Sequence, residues 1–256
     1  MEKLHNQLIS LLAEYDAQAG IVIIARGARL DINPAQVFPS ASLIKVPILY
    51  EIMRQAAGGE LSLEEEIAVR PEDRVGGAGI LTELRPDIPM TIRELAHLMI
   101  VLSDNTATNL LIDRIGMEAV NRSLVNLGLS ATVLRRRMMD FEAAREGREN
   151  MTSAADMAQM LAILTNSTGV PPAYGALMLE ILKRQQVRDK LPFYLPEDIV
   201  IANKTGTLPG FEHDVGILYL PAGVISVSVL TGNLKFNYLG LQLVARIGQL
   251  VYQHFS

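Results

Sequence analysis

The 256-residue chain has no cysteine, only four histidines, little basic charge and no long apolar run. Without cysteine, disulfides, thiolate catalysis and thiolate metal sites are excluded together. His5, His97, His213 and His254 never fall at a metal-ligand spacing, so no metal is expected, and nothing suggests an organic cofactor. No apolar stretch approaches the roughly 18 residues of a membrane span. Residues 1–7 lack the apolar core of a signal peptide, so the expectation is a cytoplasmic protein or one trimmed of its leader. A formal charge of −5 and a pI near 5.5 argue against a nucleic-acid partner. The single basic cluster, Arg135-Arg136-Arg137, reads as loop ion pairs or a solvated face.

What is present is ordinary for a soluble globular protein, with 49% hydrophobic and 20% charged residues. The length suffices for a large core, as one domain or two closely packed lobes. Leu4, Leu8, Leu11, Leu12 and Tyr15 form one stripe and predict an amphipathic helix over 3–17. Residues 21–24 are too short and too β-branched for another helix and read as a buried strand, with a second strand over 28–32. From 42 to 190 the pattern is almost wholly helical. Thr91 to Glu94 has the form of a capping box, and helices are expected over 105–115, 117–127, from 153, and over 174–186. Residues 129–151 show no clean period and read as a long loop, of a length that is usually functional or disordered. Three β-rich runs, 199–205, 215–220 and 224–231, predict an antiparallel meander before a closing helix over 239–252. The expected architecture is α+β. Both chain ends (1–38 and 197–256) build a five-stranded antiparallel sheet with flanking terminal helices, residues 39–196 form a helical lobe, and the active site lies in the cleft between them. A monomer is expected.

Three short motifs carry candidate chemistry. Ser42-Leu43-Ile44-Lys45 stands where a helix should begin. Serine needs a neighbouring base to act as a nucleophile, and a lysine three residues on lies on the same helical face. A helix N-terminus also favours developing negative charge. Alone the motif proves little, because 12 serines and 6 lysines give about 0.3 such matches by chance. Ser103-Asp104-Asn105 sits in a short turn between two helices and also suits a cap. Lys204-Thr205-Gly206 ends a strand, where the lysine can bind a carboxylate and the glycine lets a ligand lie along the edge.

Together and in this order, the three motifs resemble those of the class A β-lactamases and penicillin-binding proteins. The spacing resembles class A, the Ser-Asp-Asn form is unlike the tyrosine-containing motif of class C, and the strand–helix–strand plan extends the likeness over nearly the whole chain. The resemblance implies that Ser42 attacks a β-lactam or acyl-D-Ala-D-Ala-like small molecule and is acylated. Lys45 helps deprotonate it, and Ser103 relays a proton to the leaving nitrogen. Asn105 holds the substrate's side-chain amide, Lys204 and Thr205 engage its carboxylate beside Gly206, and the N–H groups of Ser42 and Thr207 hold the oxyanion.

The likeness breaks in the loop. The family's deacylating glutamate belongs to a pattern resembling Leu-x-Arg-x-Glu-x-x-Leu-Asn-x-Ala. Here Leu134, Arg136, Phe141 and Ala144 fall in place, but the glutamate position holds Met138. Methionine cannot take a proton. Glu142 falls where the family has the water-orienting asparagine. It is either the relocated base or an ion-pair partner of a nearby arginine, and Asp140 is a weaker candidate for the base. No arginine can be placed beside Lys204, and Arg246 is either surface or site. Three activities remain open: a β-lactamase, a D-Ala-D-Ala carboxypeptidase or esterase, and a penicillin-binding sensor that stays acylated.

Overall fold

A computed structural model describes all 256 residues, Met1–Ser256. In chain order the first half comprises α1 (Glu2–Leu12), β1 (Gln18–Ala25), β2 (Ala28–Ile32), β3 (Val37–Pro39), α2 (Lys45–Ala57), β4 (Glu66–Val69), β5 (Ile88–Thr91), α3 (Ile92–Val101), α4 (Asn105–Ile115) and α5 (Met117–Asn126). The second half comprises α6 (Phe141–Arg145), β6 (Met151–Ser153), α7 (Ala154–Thr165), α8 (Pro172–Leu182), β7 (Val200–Leu208), β8 (Phe211–Leu220), β9 (Gly223–Gly232) and α9 (Asn237–Phe255). No helix is long and apolar enough to cross a membrane. Two compact units arise from these elements. One holds residues 1–43, 151–162 and 187–256, and the other holds 44–150 and 163–186.

The first unit is built on a five-stranded sheet of order β2-β1-β9-β8-β7, with every neighbouring pair antiparallel. Both chain ends supply its strands, as the β-branched runs predict. β1 lies between two neighbours and is buried on both faces, which accounts for its unbroken Ile21-Val22-Ile23-Ile24. Leu4, Leu8 and Leu11 of α1, with Leu243, Val244, Ile247 and Val251 of α9, close one sheet face over Ile21, Ile23, Val227 and Val229. Each such aliphatic side chain contributes about 1.5–3 kcal/mol by leaving water. Helix α1 stops at Leu12 rather than running on to residue 17. The chain continues in tight turns, Glu14 N–H donating to Leu11 and Tyr15 N–H to Leu12, and these turns keep Tyr15 against the core. That is why the apolar stripe outlasts the helix.

In the second unit α2 is the central rod, packed against α3, α4, α5 and α8. Ile48, Leu49, Ile52 and Met53 are buried on it, as are Leu111, Val120, Leu124 and Ile181 on the helices it packs against. The expectation of nearly continuous helix from 42 to 190 is corrected here. Gly58-Gly59 ends α2, and the stretch up to α3 is loop plus the small β4–β5 pair. Alternation over four residues is too short to register against a helical background. The capping box forms as read, with Thr91 Oγ1 accepting from Glu94 N–H and the Glu94 carboxylate accepting from Thr91 N–H. Helix α8 ends at Leu182 rather than 186, and the long loop contains one short helix, α6.

Candidate active site

Ser42 lies not in an α-helix but in the 3-10 turn Ala41–Ile44, which runs directly into α2 at Lys45. Pro47 then falls in the first turn of α2, where its missing N–H costs nothing. Ala41 enters the turn with φ +46, a left-handed conformation that is costly for a residue with a Cβ.

The turn between α3 and α4 is held by Asp104. Its carboxylate accepts from Ala107 N–H (2.9 Å), capping α4, and from Ile80 N–H (2.7 Å) and Leu81 N–H (3.0 Å) of the preceding loop. Gly79 packs so closely on Asp104 that a Cβ there would collide with it. Ser103 is forced to φ +56. This strained turn aims three oxygens at one cation. The fully buried Lys45 ammonium donates to Ser103 O (2.7 Å), Ser103 Oγ (3.1 Å) and Asn105 Oδ1 (2.8 Å). The amide orientation of Asn105 is fixed from its other side, where Nδ2 donates to Gly76 O.

One turn further along α4, Asn109 clasps the loop. Its Oδ1 accepts from Met138 N–H (2.8 Å) and its Nδ2 donates to Met138 O (3.1 Å). Sequence reading missed Asn109; its signal was the i+4 spacing from Asn105. Met138 is buried, and beside it lies a cavity of about 270 Å³ that Asp73, Met139 and Asp140 also line. Asp140 Oδ1 accepts from Ala143 N–H and so caps α6. The three arginines pair within this unit or face solvent: Arg136 is buried against Glu149, Arg137 meets Asp113, and Arg135 is exposed. Glu142 is exposed on α6 and forms no ion pair or side-chain hydrogen bond, so the reading of it as an arginine partner is overturned.

In the sheet unit, β7 is the outer strand and carries Lys204, Thr205, Gly206 and Thr207. Leu208 pairs with Phe211 across a two-residue turn, Pro209-Gly210. Alternation from that closing pair directs the N–H and C=O of Gly206 towards β8 and those of Thr205 and Thr207 to the open edge. Gly206 is packed tightly on the segment before α2: a Cβ there would lie 3.2–3.3 Å from Ala41 Cβ, Ser40 O and Ser42 N. The strand edge and the Ser42 backbone are therefore neighbours. His213 ties the same segment down. Its Nε2 lies 2.9 Å from Pro39 O, and its Nδ1 accepts from Thr231 N–H. A carbonyl only accepts and an N–H only donates, so the ring is neutral with the proton on Nε2. Burial lowers its pKa from near 6.5 to about 4.

Lys204 is fully buried and donates to Thr205 O (2.8 Å). Burial, reinforced by the charge of Lys190, brings its pKa down to about 7. Burial pushes the neighbouring Asp214 up to about 7, although its carboxylate accepts from Asn203 Nδ2 and Leu191 N–H. No arginine stands in this group. Arg246 of the last helix pairs with Glu14 and Tyr15, just after the first helix of the sheet unit.

A five-stranded antiparallel sheet made by both chain ends, together with these helices, is a β-lactamase/transpeptidase fold. The model of the β-lactamase enzyme family matches residues 3–255, and the chain belongs to that family. It is similar to a β-lactamase of Sphaerobacter thermophilus, with 31% identity, a TM-score of 0.91, and coverage of 100% of this chain and 97% of the other. It is equally similar to PBP-A in a leucine-to-glutamate mutant solved as an acyl-enzyme complex with penicillin G: 30% identity, TM-score 0.90, and coverage of 100% and 97%. β-Lactamase 1 of Bacillus cereus is 27% identical over 254 residues, spanning 96% of this chain and 82% of the relative.

Proposed function

We propose that this protein is a class A-type serine hydrolase that opens β-lactam rings through a covalent acyl-enzyme on Ser42. The observation that carries the reading is the buried Lys45 ammonium, fixed on Ser103 Oγ and Asn105 Oδ1 one helical turn after Ser42. Lys45 acts as the neutral amine: once its ammonium has given up one proton, its lone pair takes the proton of Ser42 Oγ as that oxygen attacks the lactam carbonyl. The negative charge developing on the carbonyl oxygen is held by the N–H groups of Ser42 and Thr207, each such donor worth about 3 kcal/mol. Ser103 passes the proton to the departing lactam nitrogen, so the C–N bond breaks with its electron pair neutralised. Asn105 receives the substrate's side-chain amide. Lys204 and Thr205 receive its carboxylate along the edge of β7, and Gly206 lets that strand approach the Ser42 backbone closely. Intact-mass measurement after mixing with benzylpenicillin should show one adduct on the wild type and none on Ser42→Ala. A wild type that never gains that mass would sink the reading.

One observation favours a second reading, a D-Ala-D-Ala carboxypeptidase or esterase of the penicillin-binding type. The loop residue that Asn109 clasps is a methionine, and the free carboxylate nearby, Glu142, is exposed and held by nothing. We assign Glu142 as the base for water, but a base that is not fixed in place delivers little of the rate that positioning supplies. Slow release of the lactam acyl group follows. Glu142→Gln should lengthen the adduct's lifetime. An unchanged lifetime would remove Glu142 from the mechanism.

A further inference from the structure

Beneath the end of β7 lies an ion pair that the roles above do not use. Lys190 and Glu212 meet at 2.9 Å with their side chains only 1% and 2% exposed. An ammonium has three donors. Those of Lys190 meet Glu212 Oε2, Thr207 Oγ1 (2.9 Å) and Gly206 O (3.3 Å). All three are engaged within the strand's own support. The ring then closes through the strand. Thr207 Oγ1 donates to Glu212 Oε2 (2.8 Å), and Asn237 Nδ2 donates to Glu212 Oε1 (2.7 Å) and to Leu208 O (2.8 Å). Asn237 Oδ1 accepts from Gly210 N–H at the turn of the hairpin.

Gly206 O and Thr207 N–H belong to one peptide group. That group is planar and trans, so its two polar ends point in opposite directions. Lys190 sits at the carbonyl end, and the N–H end faces the open edge beside the Ser42 backbone. A cation at the carbonyl draws electron density towards the oxygen and leaves the N–H a stronger donor, as in any hydrogen-bonded chain. We propose that Lys190, clamped by Glu212, is a positioning residue that polarises the Gly206–Thr207 peptide and fixes its N–H on the oxyanion of the reacting carbonyl. Glu212 offsets part of the charge of Lys190, whose field still lowers the pKa of Lys204. The inference rests on the assignment of Thr207 N–H as an oxyanion donor.

The test compares Lys190→Met, Lys190→Arg and the double variant Lys190→Met/Glu212→Gln. The double variant leaves no unpaired buried charge and keeps the test open if the single methionine variant fails to fold. Two quantities are read for each: the rate of penicilloyl adduct formation on Ser42, and the infrared stretch of the acyl carbonyl in that adduct. Both methionine-containing variants should acylate about 10-fold more slowly and raise the carbonyl stretch, with arginine restoring most of both. A folded double variant with wild-type rate and stretch overturns the proposal. So does a loss confined to KM that disappears for an ester substrate lacking the carboxylate. If the wild type forms no adduct at all, the acyl-enzyme reading itself fails and takes this one with it.

Discussion

The turn between α3 and α4 and the loop over residues 129–151 are both anchored by buried side-chain hydrogen bonds, yet they differ in what they hold in place. In the turn, Asp104 fixes the backbone, and the backbone delivers Ser103 and Asn105 to Lys45. In the loop, Asn109, Asn150 and Arg136 fix the backbone equally well, but the residue delivered is Met138. The carboxylate nearby, Glu142, stands in water. Anchoring a backbone and supplying a reactive group are separate achievements, and only the turn shows both. Under the proposed mechanism, that difference predicts acylation without fast release.

The sharpest way to break this contrast is to remove the turn's target. Lys45→Met should slow adduct formation on Ser42 by roughly 10³-fold, read by quenched-flow mass spectrometry. A near-normal rate would mean that the ammonium is structural. Next, the loop can be given what it lacks. Met138→Glu places a carboxylate on a backbone that Asn109 already holds, and adduct lifetime should shorten about 100-fold. If the lifetime does not move, the loop's deficiency lies elsewhere.

A third change attacks the anchoring itself. Asp104→Asn turns an amide N–H₂ against donors that now share one carboxylate, at a cost of about 3 kcal/mol, and lowers the melting temperature by roughly 6–12 °C. The smallest effect concerns the sheet edge. In its proposed role Lys204 receives a carboxylate only as the ammonium, and its pKa is held down at about 7. The value of kcat/KM for a carboxylate-bearing substrate should therefore fall above about pH 7, by roughly tenfold per unit. An uncharged ester should show no such limb. Asp214→Asn removes a charge that favours the ammonium and should move the limb to lower pH; movement the other way would contradict the assignment.

Much of the fold was legible because its signals are local. The β-branched runs, the Thr91 box and Gly116 after α4 each mark an element within a few residues. What failed was local in another sense. The β4–β5 pair is four residues a side, and α6 five, too short for any period to emerge. At the site, order and spacing made Ser42, Lys45, Ser103 and Lys204 stand out. Lys190, Glu212 and His213 did not, because an isolated lysine, glutamate or histidine carries no pattern until folding buries it.

The sequence by itself determined the family, the element types over most of the chain and the absence of a glutamate at position 138, since all of these are matters of residue identity and spacing. The tertiary structure alone decided which polar groups meet. It set Asp104 on the loop at Ile80 and Leu81, and Asn109 on Met138. It put Lys190 beneath the Gly206 carbonyl and left Glu142 without a partner. Those outcomes depend on contacts between residues far apart in the chain, where burial removes water and obliges each polar group to find another.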